Sequence, residues 1–388
     1  MTDESYIIGF GTTKFGELWS RSLSSLLQES IQKALENAGV EIDKIGAIFV
    51  SNMLGGVLEN NVHLGAKISE LFGVNIPIFR VESACASGGQ AFLLADRYLK
   101  SGSADTILVV GGEKMTDVST EIITQALSSA SSGEEQQAGL TFPGLYAMLA
   151  TVYLNKYDYD SSFLAHISVK NHAHGVLNPN AQFRKNITVG DVLKSPHVAD
   201  PLRLLDCSPI SDGACAIVLT SNKKLVQRDR PKTKVLATET ATDSISLKGR
   251  KQLDQLQATV IAGQKAYAKA GISTDKIGLI ELHDCFSIAE VLALEDLGFW
   301  QRGSGGKLAE KYTTLLGGEG SFVVNTSGGL KAAGHPVAAT GLKQLGEIHL
   351  QLNDLAGDRQ IKNLQYGLAH NVGGSGGSAV VSILGKAT

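Results

Sequence analysis

Apolar residues along the chain form two kinds of pattern. Residues Thr106 to Gly111 are a continuous apolar run, which is typical of a strand buried on both faces of a sheet. Residues Arg21 to Ala38 instead place their leucines on one helical face and end at Gly39, which predicts an amphipathic helix. Repeated alternation of such segments predicts an α/β protein with mostly parallel sheets covered by helices.

An internal repeat divides the chain into two halves. Residues 38–48 (AGVEIDKIGAI) and 270–280 (AGISTDKIGLI) agree at seven of eleven positions. Self-similarity at this distance indicates two related α/β halves, since solenoid repeats have much shorter periods. We predict an N-terminal half at 1–225 and a C-terminal half at 232–388. Residues 115–204 are rich in Ser, Gln, Asn, His and Tyr, which predicts a loop lobe inserted in the first half.

Cys85 occupies a turn between a predicted strand that ends at Val81 and a predicted helix that begins at Gln90. The turn sequence, Ser-Ala-Cys-Ala-Ser-Gly-Gly, is built of small residues. A helix N-terminus offers unpaired N–H groups and a positive dipole end, so it favours a thiolate and lowers the pKa of a cysteine. We therefore predict that Cys85 is a nucleophile. The alternative is a small buried cysteine in a tight turn.

The second half supplies polar partners at the carboxyl ends of its predicted strands, where open α/β sheets bind ligands. His283-Asp284-Cys285-Phe286 follows the strand from Ile277 to Leu282. A histidine and a cysteine in one tetrapeptide can hold and move protons. The alternative is that Asp284 caps the next helix and Cys285 is only buried.

His335 precedes Pro336, a natural first helical residue, so it stands at a helix start as Cys85 does in the first half. Two related halves that face each other would bring both helix starts to one pocket, where the imidazole can take the thiol proton. Residues 369–377 form a glycine-rich segment whose N–H groups suit an oxyanion, with His370 as a supporting residue.

Composition narrows the function further. A formal net charge of −3 without a basic cluster gives no reason to expect a nucleic acid partner. No segment approaches about 20 consecutive apolar residues, so we expect no membrane span, and the acidic start does not resemble a signal peptide. The four cysteines contain no C-x-x-C pair, so we predict neither a metal site nor disulfides, with Cys207 and Cys215 structural. We expect a cytoplasmic protein.

Three motifs in this order together resemble the thiolase superfamily: Glu82-Ser-Ala-Cys-Ala-Ser-Gly-Gly89, His283-Asp-Cys-Phe286 and Gly334-His-Pro336. The resemblance covers essentially the whole chain and is greatest to archaeal-type acetyl-CoA C-acetyltransferases and sterol-carrier-protein thiolases. It implies the thiolase fold, in which two similar mixed-sheet α/β halves form an αβαβα layered arrangement with an inserted loop lobe.

The resemblance also implies the roles of individual residues. Cys85 matches the acylated nucleophile, and His335 matches the histidine that activates it and helps to bind a thioester oxygen. His283 stands where biosynthetic thiolases have an asparagine that orders a water in the first oxyanion hole. Cys285 matches the acid/base cysteine of the sterol-carrier-protein branch, and the backbone N–H groups of Cys85 and Gly373 would form the second oxyanion hole.

One departure from the biosynthetic enzymes concerns their second cysteine, which lies in a Cys-x-Gly motif near the C-terminus. In this chain Asn371-Val372-Gly373 occupies that place. A condensing thiolase needs a base for the α-carbon of the second acetyl-CoA, and Cys285 supplies a replacement.

The implied reaction joins two acetyl-CoA to give acetoacetyl-CoA and CoA, with thiolysis as its reverse and no cofactor beyond the coenzyme A thioesters. The resemblance further implies a homodimer or homotetramer and a link to the mevalonate pathway. Two alternatives are thiolysis of longer 3-ketoacyl-CoA and action as a subunit that passes acetoacetyl-CoA to hydroxymethylglutaryl-CoA synthase, in a complex with a small acyl-CoA-binding protein. A wholly inert scaffold is disfavoured by the complete set of four side chains.

Overall fold

The computed structural model describes residues 4–387. The first half begins with strands and helices in alternation. In chain order these are β1 (Tyr6–Thr12), α1 (Leu23–Ala38), β2 (Ala47–Ser51), α2 (Gly55–Leu58), α3 (Leu64–Phe72), β3 (Ile78–Val81), α4 (Ser87–Lys100) and β4 (Thr106–Glu113). Helix α1 is capped by the Ser22 side chain, which accepts from the Ser25 N–H, and it ends at Gly39 with φ of 60°.

A mainly helical lobe follows β4, and the chain then returns to the first sheet. The lobe comprises α5 (Thr120–Ser128), α6 (Gly133–Gln137), α7 (Phe142–Tyr157), α8 (Leu164–Val176), α9 (Val189–Lys194), β5 (His197–Ala199) and β6 (Leu202–Arg203), and the return is made by β7 (Gly213–Thr220) and α10 (Lys223–Val226). Strands β5 and β6 form a small antiparallel sheet of their own. The lobe is thus more helical than its polar sequence suggests.

The second half repeats the strand–helix alternation. It comprises β8 (Thr233–Thr242), α11 (Gln257–Ala270), β9 (Leu279–Glu281), α12 (Ser287–Asp296), α13 (Gly305–Glu310), β10 (Val323–Val324), α14 (Gly329–Ala333), α15 (Thr340–Leu352), β11 (Tyr366–Gly373) and β12 (Ser378–Lys386). The repeated sequence folds alike in both halves. In each, a helix ends at a left-handed glycine, Gly39 or Gly271, and a 3₁₀ turn leads into a buried strand.

Sheet topology confirms the predicted duplication. The first half has the strand order β3-β2-β4-β7-β1, and the second has the corresponding order β10-β9-β11-β12-β8. Each half contains two parallel pairings followed by two antiparallel ones, so the sheets are mixed. The prediction of mostly parallel sheets from the alternating pattern was wrong, because β7 and β12 enter their sheets antiparallel. The mixed sheets implied by the resemblance are confirmed. The two sheets join where Tyr6 and Ile7 pair with Lys234 and Thr233.

Three apolar layers cover these sheets. Helices α1 and α3 pack on the outer face of the first sheet, and α11 and α12 pack on the outer face of the second. Helices α4 and α15 lie between the two sheets, where Phe92 and Leu342 share one core. The arrangement is the expected αβαβα stack. Among the described residues, no helix combines the length and apolar character that crossing a membrane requires.

The starts of α4 and α15 approach so closely that only glycine fits between them. A Cβ atom on Gly88 would lie 2.8 Å from the Ala338 carbonyl oxygen, and one on Gly341 would lie 2.4 Å from the Gly89 nitrogen. Such distances are shorter than van der Waals contact. The two halves therefore face each other at their helix starts, as the sequence predicted.

Candidate active site

Cys85 lies on a sharp turn between β3 and α4. Ala84 just before it has φ of +49°, a left-handed conformation that side chains rarely adopt. The turn is fixed by Ser87, whose hydroxyl donates to the Ala84 carbonyl and accepts from the Ser83 N–H at 2.9 Å. Helix α4 begins at Ser87, three residues before the predicted start, because the turn closes immediately after Cys85.

His335 is held at the start of the helical segment that leads to α15. Its backbone N–H donates to the Ser211 hydroxyl at 2.9 Å, and its Nδ1 lies 2.7 Å from Oγ1 of Thr340. The Thr340 hydroxyl itself donates to the Pro336 carbonyl, so Oγ1 accepts the Nδ1–H of His335. The Nε2 atom is therefore unprotonated and can take a proton.

The structure brings the predicted side chains together. The Sγ of Cys85 and a ring nitrogen from each of His283 and His335 lie within 4.8 Å of one another. The two imidazoles meet edge to face, with ring centroids 5.0 Å apart and an angle of 82° between the rings. Cys285 lines the same cavity. A cysteine and two neutral imidazoles are also zinc ligands, but the same triad suits proton transfer to and from a thiol.

Burial sets the charge state of the site. It raises the pKa of Cys85 to about 12, with a smaller contribution from Glu113, whereas a hydrogen bond from the Gly374 backbone lowers it. Burial also lowers the pKa of His335 to about 3, and burial together with His335 holds that of His283 well below its usual range. The predicted lowering of the Cys85 pKa was therefore wrong: desolvation outweighs the helix start. Both thiols and both imidazoles rest uncharged.

Cys285 is surrounded by groups from the lobe. Burial raises the pKa of its thiol, and a hydrogen bond with Tyr146 opposes that shift. The Tyr146 hydroxyl donates its one proton to the Gly374 carbonyl at 3.2 Å, so the neutral Cys285 thiol is the donor to Tyr146. The Tyr146 ring stacks on Phe286 with a centroid distance of 4.6 Å. Helix α7 of the lobe thus completes the surroundings of Cys285.

Asp284 does not cap the helix that follows it. Its carboxylate accepts from the Leu330 N–H at 2.7 Å and from the Asn171 side chain at 2.8 Å. Helix α12 begins after Phe286 without a side-chain cap. The alternative that Asp284 caps the next helix was therefore wrong. Asp284 instead joins the Cys285 segment to α8 and to α14 by hydrogen bonds.

The glycine-rich segment is only partly a loop. His370, Asn371 and Gly373 belong to β11, whose pairing with β12 continues to Gly373 opposite Ser378. Gly374, one residue beyond the predicted Gly373, lines the cavity. His370 is buried, and its Nε2 lies 2.9 Å from the Thr259 hydroxyl. It supports the strand and does not line the cavity.

A largely apolar cavity of about 250 Å³ leads to these groups. Its wall includes Leu127, Phe142, Val198 and Ile210 from the lobe and the segment after it. The lobe therefore forms much of the apolar wall of the cavity that reaches Cys85.

Three residues near the site were missed by sequence reasoning. Tyr146 lies in a helix of weak amphipathicity, where no pattern distinguishes it from core residues. Asn371 was noted only as the place of an absent cysteine. Cys207 was interpreted as structural, but it lines the cavity because its segment runs antiparallel to Phe286. Cys215 is structural as predicted, fully buried within β7.

Comparison with known proteins places the chain in a family. The model "Thiolase, N-terminal domain" matches residues 5–223, and "Thiolase C-terminal domain-like" matches residues 239–386. An acetyl-CoA acetyltransferase from Methanothermobacter thermautotrophicus is 43% identical over 382 residues, covering 98% of this chain and 99% of that protein. Human sterol carrier protein 2 is 33% identical, covering 97% of this chain and 71% of that protein.

Solved structures share the fold at lower identity. The Ltp2-ChsH2(DUF35) aldolase aligns with a TM-score of 0.85 at 21% identity, covering 99% of this chain and 98% of that one. Human mitochondrial 3-ketoacyl-CoA thiolase aligns with a TM-score of 0.76 at 15% identity, covering 99% of both chains. The sequence matches and the shared architecture agree. The chain belongs to the thiolase family of acyltransferases.

Proposed function

We propose that the chain is an acetyl-CoA C-acetyltransferase that condenses two acetyl-CoA to acetoacetyl-CoA and CoA through an acetyl-Cys85 intermediate. The observation that carries this proposal is the meeting of the Cys85 thiol with two imidazoles within 4.8 Å, beside a second cavity thiol at Cys285. Relatives named acetyl-CoA acetyltransferase, 42–43% identical over nearly the whole chain, support the choice of substrate.

The first half-reaction acetylates Cys85. The thiol proton passes to Nε2 of His335 as sulfur attacks the thioester carbonyl. The tetrahedral intermediate then expels CoA, whose sulfur takes the proton of Cys285. This leaves acetyl-Cys85, an imidazolium at His335 and a thiolate at Cys285, so the net charge is unchanged. The neutral resting thiol of Cys285 is the form that can give this proton. Where Cys285 is absent, the departing CoA takes the proton of the His335 imidazolium instead, so acetylation of Cys85 does not depend on Cys285.

The second half-reaction forms the carbon–carbon bond. The Cys285 thiolate takes the α-proton of a second acetyl-CoA, and the enolate oxygen is bound by the N–H groups of His335 and His283. The enolate carbon attacks the acetyl-Cys85 carbonyl, and the departing Cys85 thiolate recovers its proton from His335. A covalent intermediate thus divides one difficult step into two easier ones.

Backbone N–H groups would hold the oxyanion formed at the acyl-Cys85 carbonyl. We propose those of Cys85 and Gly373, with Gly374 as a further donor because its N–H contacts the Cys85 sulfur. Removing one such donor from an enzyme typically costs about 10²–10³ in kcat.

The experiment is an assay of the purified chain with acetyl-CoA as sole substrate, measuring acetoacetyl-CoA and free CoA. Equal amounts of the two products are expected. Release of CoA without acetoacetyl-CoA would indicate hydrolysis and contradict the proposal.

Activity on longer acyl chains is the second candidate function, and the size of the cavity favours it. A volume of about 250 Å³ with apolar walls exceeds what a two-carbon acyl group fills, since a water-sized group takes about 30 Å³. Thiolysis rates for 3-ketoacyl-CoA of four to twelve carbons distinguish the candidates. A maximum at four carbons supports the acetyltransferase, and a maximum at eight or more supports the alternative.

Self-association is a further part of the proposal. Within residues 4–387, strand β3 pairs only with β2, so its other edge is free of these residues, and the nearby Phe79 and Val62 are 41% and 69% exposed. A second copy that adds its own β3 would continue the sheet and cover these side chains. Light scattering should therefore give a dimer or tetramer, and a mass of one chain, 40.9 kDa, would contradict it.

Association with other proteins is compatible with this function. A solved neighbour of the same fold is the Ltp2-ChsH2(DUF35) aldolase. We propose that this chain passes acetoacetyl-CoA to hydroxymethylglutaryl-CoA synthase. Purification of the tagged chain from its native cells, with product formation measured before and after removal of bound partners, tests this. A faster rate in the intact assembly supports channelling, and an equal rate contradicts it.

A further inference from the structure

Asn371 joins the two halves of the protein at the active site. It lies on β11, is 2% exposed and makes three hydrogen bonds. Its Oδ1 accepts from the Gly89 N–H at 3.0 Å, and its Nδ2 donates to the Cys85 carbonyl at 3.0 Å and faces Nδ1 of His283 at 3.2 Å. Gly89 and Cys85 belong to the first half, and His283 belongs to the second.

The orientation of the Asn371 amide is fixed by these partners. The Gly89 N–H can only donate, so the atom that it meets must be the amide oxygen. The Cys85 carbonyl can only accept, so the atom facing it must be the NH₂ group. Both contacts agree on one orientation, which directs the NH₂ group toward Nδ1 of His283. That ring nitrogen must then accept, and the proton of the neutral ring is on Nε2.

We propose that Asn371 is a positioning residue that holds His283 in the Nε2–H tautomer, so that His283 presents an N–H donor to the substrate oxygen. The adjacent His335 has the opposite tautomer, because Thr340 accepts its Nδ1–H. Two neutral imidazoles 5.0 Å apart therefore differ in role: one presents a lone pair and the other presents a proton.

Tautomer, and not charge, decides these roles. Burial keeps the pKa of both rings below the usual range, so neither is an imidazolium at rest. If His283 carried its proton on Nδ1, its ring would turn a lone pair to the cavity, and the enolate oxygen would lose one of its two imidazole donors. A wrong histidine tautomer can cost an enzyme as much as about 10⁴ in kcat.

The inference rests on the proposed role of His283, so the first measurement is independent of activity. The unmodified protein with ¹⁵N-labelled histidine is studied by NMR, and the His283 signals are assigned by their loss in His283→Gln. The expected spectrum has the His283 proton on Nε2. A proton on Nδ1 would overturn the inference whatever the enzyme's substrate.

The second measurement is a double-mutant cycle on condensation kinetics. Asn371→Asp keeps the side-chain size and still accepts from Gly89, but it cannot donate to His283. We expect kcat to fall by about 10²–10³ with little change in KM, as for the loss of an oxyanion donor. In a His283→Ala background the same change should cost almost nothing, because residues that act through each other are non-additive. Equal losses in both backgrounds would overturn the inference.

Gln344→Ala is the matched control. Gln344 is another buried amide that bonds to β11, through the His370 carbonyl at 2.9 Å, and within residues 4–387 it makes no hydrogen bond to His283. Its effect on kcat should stay within about tenfold and be equal in both His283 backgrounds. If Gln344→Ala reproduced the kcat loss and the non-additivity of Asn371→Asp, the role of Asn371 would be general strand support and the inference would fail.

Discussion

The two halves share one strand order, yet they contribute different chemistry. The first half ends β3 in a strained turn that presents Cys85. The second half ends β9 in a segment that presents His283 and Cys285, and it starts α15 behind His335. The proposed nucleophile therefore comes from one half, and the side chains proposed to move protons come from the other.

Corresponding strand ends illustrate this division. Strand β4 ends at Glu113, whose buried carboxylate accepts from the Leu54 N–H and fixes the segment after β2. The corresponding β11 ends at Gly373, where a Cβ would lie 2.6 Å from the Ser83 carbonyl oxygen, so this strand end lies close against the turn that carries Cys85. Corresponding strand ends of the duplicated scaffold therefore serve different purposes, and residues of both halves line the cavity. The proposed catalysis requires both halves in fixed register.

The largest expected effect on stability and activity comes from disturbing the close packing between the two halves. In Gly341→Ala, the new Cβ would lie 2.4 Å from both the Gly89 nitrogen and Asn371 Oδ1. Overpacking typically costs about 1–3 kcal/mol, which exceeds the gain of about 0.5–1 kcal/mol from replacing a helical glycine. Thermal unfolding should show a lower Tm, and condensation should be almost lost. Gly133→Ala, where a Cβ meets nothing within 4 Å, is the control, and equal stability of both variants would contradict the prediction.

A smaller loss of activity is expected when the hydrogen bond that fixes the His335 tautomer is removed. Thr340→Val removes the oxygen that accepts the Nδ1–H, so His335 loses its preference for an unprotonated Nε2. The rate of Cys85 acetylation, followed by rapid-quench mass spectrometry, should fall about 10–100-fold, toward the lower range of acid–base contributions. Thr259→Val removes a similar hydroxyl–histidine contact at His370, away from the cavity, and should acetylate normally. Similar losses in both variants would refute a specific role of Thr340.

The smallest effect concerns pH. Because burial raises the pKa of Cys85 to about 12 and lowers that of His335 to about 3, neither group titrates between about pH 5 and 9 in the resting enzyme. Acetylation of Cys85 should therefore be nearly independent of pH in this window. A sigmoidal rise centred near neutral pH would show instead that a thiolate–imidazolium pair exists before substrate binds.

Much of the fold could be predicted from sequence because its signals are local. The repeat around Gly39 and Gly271, the apolar strands and the helix starts each depend on neighbouring residues. The antiparallel direction of β7 and β12 could not be predicted from the local pattern. It depends on the path by which the chain re-enters the first sheet after the lobe, and on the turn between β11 and β12. The Cys85 pKa was mispredicted because burial is a property of the folded surroundings, and the turn sequence reports only the helix start.

The residues of the site also divide into those with a local sequence signal and those without one. Four were found because each stands at a strand end or a helix start: Cys85, His283, Cys285 and His335. Three were missed because contacts across the fold bring them to the site, and such contacts leave no local pattern: Asn371, Tyr146 and Cys207. Sequence therefore identifies the groups proposed to react more readily than the groups proposed to orient them.

The separate roles of the two cysteines are the central claim, and mass spectrometry after incubation with acetyl-CoA tests them most directly. Cys285→Ala should still become acetylated at Cys85, while its condensation rate falls by about 10²–10⁴ because the α-proton has no base. Cys85→Ala should not become acetylated and should not condense. An acetylated Cys285→Ala protein that is almost inactive in condensation is the predicted result, whereas near-normal condensation by Cys285→Ala would contradict the assignment of Cys285 as the base.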